Sequence, residues 1–142
     1  MSNKNIALTL KQYVVKQMSF ALNDEFIPGP DQIDLHPDFR RTINRLDADT
    51  ASIILTFEIK KERDLPFSMK IEVEGIFSLN AWAEDKIKSL IMSNNTVAIL
   101  FPYLRALITL LTANANIPPY ILPVMNINEL LREAEKTISP AN

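Results

Sequence analysis

The side chains best suited to catalysis are few in this chain of 142 residues. His36 is the only histidine, and cysteine is absent. A catalytic triad needs a base beside its nucleophile, and a zinc site usually needs several His or Cys ligands. The missing cysteines also exclude disulfides, thiol nucleophiles and thiolate metal sites. His36 lies in an Asp-Leu-His-Pro-Asp segment, so we interpret it as a loop residue.

Two groups of carboxylates have a spacing that could bind a cation or transfer a proton. The first lies in turn-like segments and consists of Asp31, Asp34, Asp47 and Asp49. It lacks the mid-loop glycine and the terminal glutamate of a calcium-binding loop. The second, Glu72 and Glu74, lies on one strand face, whereas a retaining glycosidase pair faces across a cleft. We predict no metal site, no cofactor and no enzymatic activity.

Glycine usage and net charge narrow the possible ligands further. Gly29 and Gly75 are the only glycines, where average usage would give about ten. A loop that binds phosphate through its backbone needs several glycines close together. The net charge of -2 gives no electrostatic reason to expect nucleic acid. We therefore expect neither a nucleotide-binding loop nor a nucleic-acid partner.

Alternating polarity predicts an antiparallel sheet in the first part of the chain. Four strands are expected near residues 11–22, 33–46, 53–59 and 69–79. In the first strand we predict that Val14, Met18, Phe20 and Leu22 alternate with Lys16 and polar neighbours. Gly75, in mid-strand, indicates a bulge or a close approach of another group. Antiparallel strands with one wet face, followed by helices, indicate an α+β fold.

Helices are predicted in the second part of the chain. A short helix is expected at about 83–92, and Asn94 and Asn95 are predicted to cap a long helix that ends near Asn114. Asn126 and Glu129 resemble a capping box for a last helix, which extends to about residue 138. The sequence thus predicts one domain, 1–142, with a sheet at about 11–80 and helices at about 83–138.

The long helix is apolar around most of its circumference. Between Val97 and Leu111 only Pro102, Arg105 and Thr109 interrupt the apolar residues. A membrane span needs about 20 largely uncharged residues, so we do not expect membrane insertion. A helix of this kind needs cover on two sides, and one sheet supplies only one. We therefore predict a homo-oligomer, with an interface that includes Leu107, Ile108 and Leu111.

The connector after this helix is unusually apolar and rich in proline. Loops normally run over the surface, and exposed apolar patches mark interaction sites. Prolines would hold such a loop stiff and limit the entropy that it loses on binding. Helix and connector together predict an apolar groove lined by Phe101, Tyr103, Leu104, Ile117, Pro118, Pro119, Tyr120, Ile121 and Leu122. For any single residue of this set, burial in the core remains an equal alternative.

The sequence motifs in this region resemble those of the SecB family of protein-export chaperones. The similar segments are ILFPYLR at 99–105, GIFSL at 75–79 and IPPYILPVMNINELL at 117–131. The resemblance implies a SecB-like fold, a four-stranded antiparallel sheet with long helices packed on it. It also implies a homotetramer, a dimer of dimers, that binds unfolded or newly made polypeptides in the groove without ATP. We expect a cytoplasmic protein, since no apolar segment follows the polar start.

Alternatives to an export chaperone remain open from the sequence. One is a SecB-like adaptor or chaperone dedicated to a single partner, such as a toxin–antitoxin system. Another is a small-ligand-binding domain, which would have a closed cavity. In translocase-linked SecB proteins, acidic groups on the sheet receive the basic, zinc-bearing tail of the SecA motor. Here Gln17, Ala21 and Lys70 stand where acids are expected, although Glu72 and Glu74 remain. We predict weak or absent SecA binding.

Overall fold

The fold is a sheet of four strands followed by a long helix. The computed structural model describes residues 7–27, 29–30, 33, 35–80, 85–115, 127–129 and 131–132. In this part of the chain the elements are β1 Ala7–Leu22, β2 Asp38–Arg45, β3 Thr50–Ile59, β4 Phe67–Asn80 and α1 Asp85–Asn114. This arrangement confirms the predicted α+β fold with an antiparallel sheet.

The strands lie in the order β1-β4-β3-β2, and every neighbouring pair is antiparallel. One face of the sheet, the inner face, carries the core. On β3 and β4 the alternation of apolar and polar residues decides which side chains are buried, as the sequence predicts. The fully buried side chains of these two strands include Ile53, Leu55, Phe57, Ile71 and Phe77. β1 and β2 form the two edges.

β1 does not follow the simple alternation predicted for it. Its pairing with β4 shifts between Leu10 and Gln12 and again between Val15 and Gln17, so Lys11 and Lys16 are extra residues in bulges. Each bulge reverses which residues face inward. The prediction for Val14 is therefore wrong, because it pairs with Glu74 on the outer face.

The second bulge restores the predicted orientation at the end of β1. Met18 pairs with Ile71, and Leu22 pairs with Phe67, on the inner face. Tyr13 and Val15, between the bulges, also face inward, since they pair with Gly75 and Val73. The inner face of β1 therefore carries an unbroken series of apolar and aromatic side chains.

Gly75 allows the helix to lie close to the sheet. A Cβ at this position would be 2.6 Å from Cε1 of Phe77 and 2.9 Å from Cδ2 of Leu100. Real Cβ atoms do not approach other atoms so closely, so a larger residue would displace the helix or the ring. The predicted close approach at Gly75 is confirmed, and the bulges lie in the neighbouring strand.

α1 is one continuous helix of 30 residues, so the predicted break near Asn94 and Asn95 is wrong. The buried residues Met92, Thr96 and Val97 lie on either side of the two asparagines. Their burial outweighs the preference of asparagine for helix ends. Pro102 lies inside this helix on its exposed side, where water can bond the carbonyl that loses its partner.

Asn23 joins the end of β1 to the connection between β3 and β4. Its side-chain amide donates hydrogen bonds to the carbonyls of Glu62 at 3.1 Å and Leu65 at 2.8 Å. Its backbone N–H donates to the Pro66 carbonyl at 2.8 Å. These hydrogen bonds thus tie the end of β1 to the connection between β3 and β4.

Part of the predicted last helix can be located. Residues 127–129 and 131–132 are helical, and Ile127 and Leu131 are buried in the core. The Asn128 side chain donates to the Asn94 carbonyl at 3.1 Å, which ties this segment to α1. Asn126 and the predicted extension to residue 138 lie outside the described residues.

Candidate functional site

α1 covers the inner face of the sheet unevenly. The helix packs on β4 and β3. It also reaches β2, where Arg41 donates to the Ser93 carbonyl at 2.7 Å and the rings of Phe39 and Phe101 lie 6.2 Å apart. On β1, at the opposite edge, Val15, Met18 and Leu22 are each exposed by more than a third. An apolar strip of the sheet is therefore exposed along one side of α1.

We call this strip the β1 surface and define it as Tyr13, Val15, Met18, Leu22 and Tyr103. The exposed fractions are 38% for Val15, 45% for Met18, 55% for Leu22 and 44% for Tyr103. None of these side chains carries a charge at neutral pH. The surface can therefore bind apolar groups through burial of area, with little dependence on the sequence of the partner.

A tyrosine pair forms the boundary between the β1 surface and the helix. The ring centroids of Tyr13 and Tyr103 lie 4.5 Å apart, with the planes tilted by 30°. Burial, and secondarily the neighbouring Tyr103, raises the pKa of the Tyr13 hydroxyl above its usual value. The Tyr13 phenol is therefore neutral at physiological pH. Farther along β1, Phe20 stacks on Phe67 with centroids 5.3 Å apart.

The predicted groove residues on the helix have different environments. Phe101 and Leu104 are buried in the core of the chain, whereas Tyr103 is exposed on the β1 surface. The sequence left core and groove open for each of them, because a helix apolar on most sides does not reveal which side meets its own sheet. The remaining groove residues, 117–122, lie outside the described residues.

The residues of the predicted oligomer interface also differ in burial. Ile108 is fully buried against the chain's own sheet, and Leu107 and Leu111 are partly buried beside it. The outward side of the helix instead exposes Leu110, with Ala106 one turn before it. Sequence analysis missed Leu110 because its neighbours are equally apolar.

Threonine side chains satisfy their own hydrogen bonds within α1. Thr96 donates to the Met92 carbonyl, and Thr112 donates to the Ile108 carbonyl at 3.0 Å. Thr109 donates to the Arg105 carbonyl at 3.2 Å. These bonds let Thr96 and Thr112 lie fully buried on an apolar sheet.

The outer face of the sheet carries paired charges. Glu74 accepts a hydrogen bond from Ser52 and lies 3.9 Å from Lys16. Glu72 lies 3.8 Å from Lys70. Both carboxylates are thus close to ammonium groups of the same chain, which reduces the negative potential of this face.

The turn aspartates and the histidine considered for chemistry in the sequence have the following surroundings. Asp47 accepts a hydrogen bond from the Asp49 N–H at 2.8 Å, and this bond lowers the pKa of the Asp47 carboxyl. Asp49 itself pairs with Lys88 at 2.8 Å, which fastens the turn before β3 to α1. His36 is exposed, and Asp31 and Asp34 lie outside the described residues. Within the described ranges, no three His, Cys, Asp or Glu side chains converge as metal ligands would.

Comparison with known proteins identifies the family. The family model of SecB, the preprotein translocase subunit, matches residues 2–137, which is nearly the whole chain. The chain belongs to the SecB family. Lys86–Asn114 is long and apolar enough to cross a membrane by length and composition alone, a test that core helices of soluble proteins also pass. In this SecB-family fold one side of that helix is packed on the sheet.

Similar proteins include a curated relative and two solved structures. The uncharacterised protein MJ0357 of Methanocaldococcus jannaschii is 35% identical over 136 residues, covering 92% of this chain and 86% of the relative. A solved structure of the Mycobacterium tuberculosis SecB-like chaperone Rv1957, in complex with a ChAD peptide from the HigA1 antitoxin, aligns with a TM-score of 0.67. The two chains are 15% identical, with 83% of this chain and 90% of that chain covered, so the likeness concerns the fold. A Streptococcus agalactiae protein of unknown function aligns with a TM-score of 0.46 and 16% identity, over 87% of this chain and 100% of that one.

Proposed function

We propose that this SecB-family chaperone is an ATP-independent holding chaperone of the cytoplasm that binds unfolded or newly made polypeptides. The observation that carries the proposal is the β1 surface, an apolar strip left uncovered by the helix. The family match supports the same function. We also propose the predicted connector residues, which lie outside the described residues, as client-binding residues: Ile117, Pro118, Pro119, Tyr120, Ile121 and Leu122.

The energy available from such a surface fits a holding function. Burial of one Leu- or Phe-sized side chain contributes about 1.5–3 kcal/mol. A client that buries several such residues against Val15, Met18 and Leu22 would bind in the micromolar range, equivalent to about -8 kcal/mol. Release then needs no nucleotide, because the same contacts dissociate at an appreciable rate.

Two neighbouring valines provide a matched test of this surface. Val15 and Val14 are exposed to 38% and 36%, but they lie on opposite faces of β1. Val15→Ser should weaken the binding of a labelled unfolded client about three- to tenfold, because apolar contact area is lost. Val14→Ser should leave binding unchanged. Fluorescence anisotropy gives the dissociation constants, and equal effects of the two variants would contradict the proposed site.

The breadth of clients distinguishes a general chaperone from a dedicated one. The similar Rv1957 protein binds a peptide of an antitoxin, which favours a dedicated chaperone or adaptor as the second candidate. An aggregation assay with several unrelated unfolded proteins separates the two functions. Suppression of aggregation for all of them supports general holding. Protection of none of them, combined with binding to one native partner such as an antitoxin, supports the dedicated function.

The exposed side of α1 supports assembly into a homotetramer, a dimer of dimers. Leu110→Asp should shift the sedimenting species to a smaller assembly, because an unpaired carboxylate in an apolar interface is costly. Leu107→Asp should do the same or unfold the chain, since Leu107 also contacts the core. Leu46→Asp, at an exposed loop position, is the control that should leave the assembly intact. A wild-type protein that sediments only as a single chain would contradict this part of the proposal.

Delivery to the SecA motor is expected to be weak. Gln17, Ala21 and Lys70 reduce the acidity of the outer face, and Glu72 and Glu74 lie near lysines. Binding of a basic tail to this face would therefore gain little from charge complementarity. Calorimetry with a zinc-loaded SecA tail peptide should show a dissociation constant above about a micromolar. A dissociation constant below about a micromolar, equivalent to a binding free energy below about -8 kcal/mol, would contradict this prediction and support a role in the main export route.

A further inference from the structure

The first two turns of α1 pack on the sheet less than the rest of the helix. Met92 is the one buried side chain between residues 86 and 92, whereas Ile87 and Leu90 are exposed to 43% and 55%. Each following turn contributes a fully buried side chain, namely Val97, Leu100, Leu104, Ile108 and Thr112. We call residues 85–92 the strap, because apolar packing holds this segment mainly at its end.

A salt bridge holds the strap near its beginning. Lys88 Nζ lies 2.8 Å from Oδ1 of Asp49, in the turn between β2 and β3. The Lys88 side chain is 13% exposed and the Asp49 side chain is 60% exposed, so dissolved ions reach the pair from the Asp49 side. The first turn of α1 carries two lysines and one aspartate, although a helix N-terminus favours anions. The Asp49 carboxylate therefore offsets an unfavourable charge at the start of the helix.

The strap ends at a weak point of the helix. Residues 93–96, with the sequence Ser-Asn-Asn-Thr, all have low helix propensity. Three consecutive carbonyls at this point also accept hydrogen bonds from side chains. Thr96 donates to the Met92 carbonyl, Arg41 to the Ser93 carbonyl at 2.7 Å, and Asn128 to the Asn94 carbonyl at 3.1 Å. Side chains that bond the carbonyls of a helix mark places where helices bend.

These side-chain hydrogen bonds lower the cost of separating the strap from the rest of α1. If the helix opens at 93–96, the carbonyls that lose an N–H partner keep a side-chain donor, so fewer polar groups are left unsatisfied. Asn128 Oδ1 is buried beside this point without a donor among the described residues, and it can accept an N–H that the opening frees. Arg41 and Asn128 meanwhile fix residues 93–96 to β2 and to the last helical segment.

We propose that the strap is a salt-sensitive conformational device that opens at residues 93–96, independently of the rest of α1, when the bridge between Lys88 and Asp49 breaks. Opening removes Met92 from the core and adds its apolar surface to that of Ile87 and Leu90. Rising ionic strength favours the open state, because it screens the bridge. This device goes beyond the proposed holding function, since it operates in the chain without a client.

Hydrogen–deuterium exchange of the full-length protein, followed on peptides from each half of α1, tests this device. After correction for intrinsic rates, amides 89–92 should exchange faster than amides 100–111. Raising the sodium chloride concentration from about 0.05 M to about 1 M should speed exchange of the strap about three- to tenfold and leave the second half of the helix unchanged. Equal protection along the whole helix, or a strap that does not respond to salt, would overturn the proposal.

Two variants break the bridge from either side. Lys88→Met and Asp49→Asn should each bring the low-salt exchange of the strap to its high-salt rate and abolish the response to salt. Lys60→Met is the matched control, because it removes a salt bridge with Asp38, 3.9 Å long, at the opposite end of the β2–β3 pair. It should leave the strap unchanged. A salt response that survives in both bridge variants would mean that this bridge does not close the strap.

The opening point is tested at Asn95, an exposed residue. Asn95→Ala should slow exchange of the strap about two- to threefold, because alanine has the higher helix propensity. Asn114→Ala, at the end of the same helix, is the control and should leave the strap unchanged. Equal effects of the two variants, or no effect of Asn95→Ala, would contradict an opening at residues 93–96.

Discussion

The inner face of the sheet has two regions that differ in cover, although their residues are equally apolar. Over β3 and β4 the helix fills the face, and Ile53, Val73 and Leu100 are fully buried. Over β1 the same kind of residue, such as Val15 or Met18, is exposed to more than a third of its surface. The difference teaches that the exposure of apolar residues on this face depends on where the helix lies, not on a special residue type.

The position of the helix has identifiable causes. Gly75 on β4 lets Leu100 approach the sheet closely, which places the helix over the centre of the sheet. Arg41 on β2 holds the helix on the far side through the Ser93 carbonyl. On the β1 side the ring of Tyr13 contacts the ring of Tyr103 on the helix. The helix is therefore centred over β4 and β3, and part of the inner face of β1 stays exposed.

The largest expected effect is a loss of stability where α1 covers β3 and β4. Leu104→Ala should lower the free energy of unfolding by about 2–5 kcal/mol, because it leaves a cavity between α1 and the sheet. Leu110→Ala, on the outward side of the same helix, should lower it by less than about 0.5 kcal/mol at low protein concentration. Urea denaturation at two concentrations provides the measurement. The loss in Leu110→Ala should grow with concentration if a second chain covers that side.

A smaller effect is expected where the helix approaches the sheet. Gly75→Ala should destabilise the protein by about 1–3 kcal/mol, because its Cβ would overlap the positions of Phe77 and Leu100. Gly29→Ala is the matched control, since a Cβ there meets nothing within 4 Å. Thermal unfolding distinguishes the two variants. Equal midpoints would mean that the helix does not depend on Gly75 for its position.

The smallest effect concerns the boundary between the two regions. A double-mutant cycle with Tyr13→Leu and Tyr103→Leu should give a coupling energy of about 0.5–1.5 kcal/mol, the usual range for aromatic pairs. The pair Phe39 and Phe101, on the opposite side of the helix, is the reference cycle. A coupling of zero for the tyrosines would show that β1 and the helix are independent in solution.

Sequence patterns predicted the parts of this fold that depend on local alternation. On β3, the buried residues Leu55 and Phe57 lie where the alternation places them, because both neighbours of this strand are paired regularly. The glycine at position 75 predicted that another group approaches the strand closely there, since glycine in mid-strand otherwise weakens a sheet. The motifs around residues 75–79 and 99–105 indicated the SecB family, which the family model confirms.

The sequence by itself thus determined the fold class, the family and the absence of thiol chemistry, since residue types and short-range periodicity carry that information. Tertiary structure alone decided which face of β1 each residue occupies, because bulges at Lys11 and Lys16 depend on pairing with β4. It also decided that α1 continues through Asn94 and that Leu104 is buried whereas Leu110 is exposed. On a helix apolar on most sides, burial depends on which side meets the sheet, and that contact forms only when distant parts of the chain pack together.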